Sequence, residues 1–201
     1  MKANPSPGRK KKEGGSAGDD LAHLANITGA FALILSDRIA TMAETSLGYS
    51  GETAAALVTI GAEPGHSVDW LSKVLALSQP GTVRLVDRLV QEGWVDRGRG
   101  RDKRSVALYL SESGKEQRRK ILALRQDYLE SLIEQLPRHH KIQLQAALHV
   151  LLHNMTTDAY AACRICRLCN EEKCEMPRCP VDLAVPADER FVSLPPPGGA
   201  S

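Results

Sequence analysis

The stretch Leu77–Gly114, LSQPGTVRLVDRLVQEGWVDRGRGRDKRSVALYLSESG, changes its period half-way along. Up to Gly93 it reads as a helix beginning at about Pro80, with Val83, Val86, Leu89 and Val90 as its buried stripe and Gly93 as its stop. Beyond Gly93, WVDR and SVALYL read as two short strands, with Val106, Leu108 and Leu110 alternating, and they flank the polar tip GRGRDKR. A helix is therefore followed at once by a hairpin with a cationic tip.

On the N-terminal side, Ser67 reads as the cap of a helix in VDWLSKVLAL, and Ser50 as the cap of GETAAALVTIG, closed by Gly61 and Pro64. Before them a long helix runs from Asp19 to near Gly48, with Leu24, Ile27, Phe31, Ile34 and Ile39 mostly at three- and four-residue steps. On the C-terminal side two further helices are expected. One spans Ser111 to about Leu136, carrying Ile121, Leu124, Tyr128 and Leu132; the other spans Lys141 to about Cys166, carrying Ile142, Leu144, Leu148, Leu151 and Leu152. Residues 1–17 read as a disordered basic arm, with Lys2, Arg9, Lys10, Lys11 and Lys12 against Glu13, and the Pro- and Gly-rich tail 181–201 is expected not to pack. The fold class is mainly α with a small β-hairpin wing: a winged helix-turn-helix domain over 18–162, with its helix-turn-helix at 67–93 and wing at 94–110, flanked by further helices.

The second helix of such a pair fits the roughly 12 Å wide major groove of DNA. Its first turns are expected to present Ser78, Gln79, Thr82 and Arg84 outward. Arg84 suits guanine, Gln79 suits adenine, and the hydroxyls suit bases or phosphates. The wing gathers Arg97, Arg99, Arg101, Lys103 and Arg104 against Asp96 and Asp102, with Gly98 and Gly100 allowing close approach to a backbone.

These residues resemble the recognition helix and wing of MarR-type transcriptional regulators. The pattern is carried by Gln79-Pro80, by the run Arg84-Leu85-Val86-Asp87-Arg88-Leu89, and by Gly93, Asp102, Arg104, Leu110 and Gly114, within a resemblance covering roughly Leu21 to Ala162. It implies a homodimer that reads an inverted repeat in double-stranded DNA, with the first and the last two helices of each subunit interlocked. It also implies that Arg88 lies with Arg84 on the reading helix, that Arg104 contacts DNA, and that Asp102 orients neighbouring arginines. The sequence departs from the pattern at Ala76, where the turn usually has Gly, and at Ser111, where Thr is common.

All five cysteines fall within CRICRLCNEEKCEMPRC, Cys163–Cys179, a run outside the MarR pattern. The spacing of Cys163, Cys166, Cys169, Cys174 and Cys179, with Pro180 after the last, resembles ferredoxin motifs and predicts an iron–sulfur cluster of the 4Fe–4S kind. Zinc is the alternative, since four thiolates complete a tetrahedral site, and a bare thiol switch is the third. One thiol is then spare; the expected ligands are Cys163, Cys166 and Cys169 with Cys179, or with Cys174. Arg164, Arg167, Lys173 and Arg178 are expected to offset thiolate charge and lower the thiol pKa values. His149 and His153, four residues apart, fall outside the expected site.

The net charge of +2 does not itself mark a nucleic-acid binder, and no apolar run approaches the ~18 residues of a membrane span. A cytoplasmic, reducing location is expected, where clustered thiols point to metal or redox chemistry and not to disulfides. No nucleotide-binding glycine motif or nucleophile constellation is visible, so the chain reads as a non-enzymatic regulator, in the first instance a repressor tuned by its cysteine module. Two other readings stand beside it: a MarR-like regulator with a structural zinc clip and a small aromatic effector, and an electron-transfer protein.

Overall fold

The computed structural model describes residues 17–48, 50–100, 106–174 and 178–191. Residues 101–105 lie outside these, and with them Arg101, Asp102, Lys103 and Arg104 of the expected wing; so do residues 1–16 of the basic arm and 192–201 of the tail. The chain divides into two units, up to Arg38 and from Ile39 onward.

Helix α1 spans Ala17–Leu47 and crosses from the first unit into the second. In its first part Leu24, Ile27, Phe31 and Ile34, the expected apolar face, are half or more exposed. In the second unit α2, Gly51–Ala62, is the central post of the core: Ala54 to Ile60 are all buried. Ser50 stands at its N-cap but turns its hydroxyl to the Glu52 carboxylate, 2.7 Å away, and makes no side-chain cap. Gly61, expected as a stop, lies inside this helix, where a Cβ would meet Arg118 Cδ at 2.4 Å. It is a point of close approach between α2 and a later helix.

Helix α3, Val68–Leu75, is capped by Ser67, whose Oγ accepts from the Trp70 amide, and its apolar side buries Trp70, Leu71 and Val74. The chain then turns at Ala76, which adopts φ 54°, ψ 39°, the left-handed region that L-residues avoid. Helix α4, Gln79–Gln91, follows, with Ser78 as its N-cap accepting from the Gly81 amide and Gly93 at φ 70° beyond its end. The hairpin pairs β1, Val95–Arg99, with β2, Val106–Leu110, in antiparallel register. Strand β2 does not alternate as expected: Val106 is exposed, while Ala107 through Leu110 are all buried. One reason is that Leu108 exchanges backbone hydrogen bonds with Gly65 and His66, so β2 has a neighbour on both edges.

Helix α5, Glu112–Glu134, is capped by Ser111, which accepts from the Gly114 amide and donates to the Gly93 carbonyl at 2.6 Å. Serine thus performs the capping role at the position where threonine is common. A Cβ on Gly114 would fall 2.0 Å from the Trp94 carbonyl oxygen, so only glycine lets α5 start against the strand.

The last helix is not continuous to Cys166. Helix α6, Arg138–Met155, ends at Thr156, whose buried hydroxyl turns back to the Leu152 carbonyl, and Asp158 then caps a separate helix α7, Ala159–Cys166. No residue of α6 is buried, and Ile142, Leu148, Val150, Leu151 and Met155 stand exposed along it. The segment expected to stay unpacked from Val181 is instead packed up to Phe191. Helix α8, Pro180–Ala184, buries Val181, Val185 beyond it is buried, and Phe191 meets the rings of Trp70, His66 and Tyr160 edge-on. Apolar side chains at the ends of this short stretch anchor it despite its prolines.

Candidate functional site

The first candidate surface is the outer face of α4. Leu85, Val86 and Leu89 lock the helix to the core, and they leave Gln79, Pro80, Val83, Arg84 and Arg88 exposed. Thr82 is not among them. It is fully buried and its hydroxyl donates to the Ser78 carbonyl at 3.1 Å, whereas Val83, expected inside, is 38% exposed. The buried positions are 82, 85, 86 and 89, a helical stripe whose first member is a threonine able to satisfy its own hydroxyl within the helix. Val83 lies one residue, about 100°, off that stripe, beside Arg84. The outward face therefore carries an apolar group next to the arginine, a pairing suited to a thymine methyl beside a guanine.

Ser78 serves both as the N-cap of α4 and as an exposed hydroxyl at its start, where the helix dipole and free amides favour a phosphate. On the hairpin Arg99 is exposed, and its carbonyl accepts from Tyr109 Oη at 3.1 Å. Arg97, expected among the wing cations, is instead paired with Asp87 of α4 at 2.5 Å. This ion pair ties the hairpin to α4. Both partners are visible in the sequence, but only the fold brings positions ten residues apart together.

The second candidate site is a cavity of about 400 Å³ beside the C-terminal end of α2. All five cysteines line it, with Thr59 and Ala62 of α2, with Glu63 just beyond that helix, and with Arg167, Glu171, Glu172 and Asp182 at its wall. Cys163 and Cys166 come from α7, Cys169 and Cys174 from the turns that follow, and buried Cys179 from the residue before α8. The thiols are not equivalent. Cys166 interacts most strongly with Cys169, and Cys174 interacts with Cys179. Sharing a proton with its neighbour raises Cys166 and brings Cys169 down to about 6, where Arg125 and Arg167 also favour the thiolate against the opposing effect of burial. Burial pushes Cys174 up to about 11, with Cys179 adding to the rise, and pushes Cys163 up to about 12, where Glu63 also disfavours the anion. The expectation that neighbouring cations lower the thiols as a group holds for Cys169 alone among these four, because burial acts on all of them.

Arg164 does not face the thiols. Its guanidinium reaches back to α3 and donates to the carbonyls of Lys73, at 2.8 Å, and Val74, at 3.4 Å, in the last turn of that helix. Arg118 of α5 makes an ion pair with Glu171 of the cysteine segment. Nothing in the spacing of the cysteines signals either contact. Among the described residues no group of three or more His, Cys, Asp or Glu side chains is gathered closely enough to hold one metal ion, and this includes His149 and His153. No helix among them is long and apolar enough to cross a membrane.

A third hollow, of about 330 Å³, lies between α2, β2 and α5, lined by Ile60, Pro64, Tyr109, Leu110, Lys115, Arg118 and Arg119.

Residues 47–105, from the end of α1 to the wing, match the model of the MarR family. The chain is similar to the transcriptional repressor MprA of Escherichia coli strain K12, 31% identical over 103 residues, which cover 50% of this chain and 58% of that protein. It thus spans little more than half the length of the curated relatives it matches. Its fold is similar to that of a MarR family protein from Bacillus stearothermophilus, with 24% identity, a TM-score of 0.63, and 71% of this chain and all of the other covered. It is also similar to Streptococcus pneumoniae FabT, a structure solved in complex with DNA, with 20% identity, a TM-score of 0.55, and 66% and 94% covered.

Proposed function

We propose that this chain, with a MarR-type winged helix at its centre, is a DNA-binding transcriptional repressor that acts as a homodimer on an inverted repeat. We propose further that a cofactor in its cysteine cavity sets its affinity for that site. The observation that carries the first part is the face of α4: Gln79, Val83, Arg84 and Arg88 stand exposed on a helix whose opposite side is fixed in the core. Chemically different groups on a rigid exposed helix are what base-edge reading requires. The homodimer is supported by apolar faces on α1 and on α6, each exposing several large side chains. Two reading helices then address half-sites about 34 Å apart.

The second part rests on the cavity. Five thiols line one space, and a polynuclear iron–sulfur cluster takes ligands spread around a body of that kind. Zinc, the alternative, draws four sulfurs to about 2.3 Å from one point, and the described donors are not so gathered. When bound, the cofactor supplies a response to iron, oxygen or redox state. The seat of the module gives its route: α7 is held to the end of α3 by Arg164, so the cavity is linked to the helix-turn-helix itself. A route through one continuous interface helix is interrupted by the break at Thr156.

A small-molecule effector has its own supporting observation in the 330 Å³ hollow. Tyr109 and Ile60 face Lys115, Arg118, Arg119 and Glu172 there, a lining suited to a small aromatic ligand with polar substituents. The test of the main reading is selection of a binding site from random duplex DNA, followed by titration of the selected site with anaerobically loaded and with cofactor-free protein. An inverted repeat bound with different affinities by the two forms is expected. Absence of any selected sequence refutes the DNA reading, and equal affinities refute the regulatory one.

A further inference from the structure

We infer that Val83 reads one position of each half-site by the C5-methyl group alone, so that 5-methylcytosine is accepted there in the place of thymine. This rests on the proposal that the outer face of α4 reads DNA, and it adds the chemical feature that one side chain of that face recognises.

Among the described residues, Val83 is the only large apolar side chain of α2, α3 and α4 that stands exposed, at 38%. It belongs neither to the buried core nor to the partly buried side chains packed against that core. The helix itself gives it no role: valine is a poor helix former at an exposed position, and neither the cap at Ser78 nor the buried stripe at 82, 85, 86 and 89 involves it.

The exposed apolar side chains of α1 and α6 come in groups, which suits a protein partner, whereas Val83 stands apart with Gln79 one turn before it and Arg84 beside it, both exposed. A lone aliphatic group between an amide and a cation matches the major groove, where the thymine methyl is the one apolar group among hydrogen-bonding base edges. The surrounding charge suits the same occupant. Arg84, Arg88 and, on the hairpin, Arg99 are exposed, and Asp87, the one acidic residue of α4, is paired with Arg97.

Valine neither donates nor accepts a hydrogen bond. It does not distinguish the O4 acceptor of thymine from the N4 amino group of cytosine, and it registers only whether C5 carries a methyl group. Its branched side chain is held in one strongly preferred rotamer on a helix, so the contact is fixed in place beforehand. Val83 and Arg84 are consecutive, about 1.5 Å apart along the helix axis, which puts the methyl within one or two base pairs of the guanine assigned to Arg84.

The experiment uses the full chain and the duplex selected from random DNA, with one half-site left intact and the other altered. Each thymine of the altered half-site is replaced in turn by deoxyuridine, which keeps the base pair and removes only the C5-methyl. At the position so found, a cytosine–guanine pair is compared with its 5-methylcytosine counterpart. Anisotropy titrations are expected to show one thymine, close to the guanine whose preference Arg84→Ala relaxes, where deoxyuridine weakens binding about fourfold, the effect of one methyl group buried from water. Methylating the cytosine there is expected to tighten binding by the same factor. Both differences are expected to vanish in Val83→Ala, which keeps the helix because alanine is the better helix former, and to persist in Arg84→Ala. A selected site with no methyl-dependent thymine overturns the inference and leaves the DNA reading standing. So does a methyl dependence that survives in Val83→Ala, or a thymine preference that 5-methylcytosine does not share. If no sequence is selected at all, the DNA reading and the inference fall together.

Discussion

Ala76 holds the turn between α3 and α4 in a conformation that alanine disfavours, and replacing it with glycine is expected to stabilise the protein. At φ 54° and ψ 39° it is the one non-glycine residue of positive φ among those described. The strain persists because the turn is over-determined: the Leu77 amide donates to the Ser72 carbonyl at 3.0 Å, the Ala76 amide donates to Lys73, and Arg164 donates to the carbonyls of Lys73 and Val74 at the helix end. An L-residue in this region costs about 1–2 kcal/mol. Glycine removes that cost but adds unfolded-state entropy worth about 0.4–1 kcal/mol. Ala76 is exposed, so no burial is lost. The net gain for Ala76→Gly is then centred on about 0.8 kcal/mol, within a range of about 0–1.6 kcal/mol, and the central value raises the melting temperature of a chain of this size by roughly 2–3 °C. Ala76→Val is the opposing control, since a β-branched side chain is a steric outlier at this φ and is expected to destabilise by more than about 1 kcal/mol. Urea unfolding of all three proteins measures this. An Ala76→Gly midpoint at or below that of the parent, with the slope unchanged, refutes the account of the turn.

Four further outcomes follow from the two sites. Arg84→Ala is expected to cost roughly 1–3 kcal/mol in binding to the selected site and to relax preference at one base position, measured by repeating the selection with the variant. Thr82→Ala is expected to lower stability by about 1–2 kcal/mol, through a small cavity and a missing hydrogen bond, while leaving sequence preference as it was; altered preference in the selection would return Thr82 to the reading face. Replacing Arg99, Arg101 and Arg104 together is expected to weaken binding to all duplexes and to flatten the plot of log K against log salt by about 0.9 for each phosphate no longer neutralised; an unchanged slope removes the wing from the interface. Arg164→Gln is expected to load with metal normally yet to bind DNA equally well loaded or empty, as anisotropy titrations of the two forms would show; a persisting difference means that the signal takes another path.

Most of the helix boundaries are legible in the sequence because they are set by local chemistry. Ser67, Ser78 and Ser111 each accept an amide hydrogen bond from the residue three further on, and this is the pattern by which a sequence marks a helix start. The buried stripe of α4 departs from the expected one because a threonine counts as polar in the pattern, although it can bury its methyl and satisfy its hydroxyl on the preceding turn. The break between α6 and α7 does have a signal: Asp158 lies three residues before Ala161 and caps it, but the apolar spacing on either side masks the interruption. The partners of Arg97, Arg118 and Arg164 are not legible at all. Each contact depends on packing between elements, and a charged side chain on a surface gives no indication of which neighbour the fold will bring to it.

The two sides of the cysteine segment are held by different forces, and this difference bears on how a cofactor would act. Toward the core, Val181 and Val185 are buried and Phe191 closes on Trp70, Tyr160 and His66. Burying an apolar side chain of this size contributes about 1.5–3 kcal/mol, so this side is anchored by packing whether or not metal is present. Toward the cavity, the thiols border open space. On the proposal made above, a cofactor filling that space does not need to fold the module; it needs only to fix the distance between α7 and the turns that carry Cys169, Cys174 and Cys179. Arg164 then passes any displacement of α7 to the end of α3, close to the strained turn at Ala76 from which α4 departs. A small rotation there would be enlarged along α4 toward the exposed side chains proposed to read DNA. The exposed face of α6, which packs on α8 and buries no side chain of its own, would stay available to a second copy of the chain throughout.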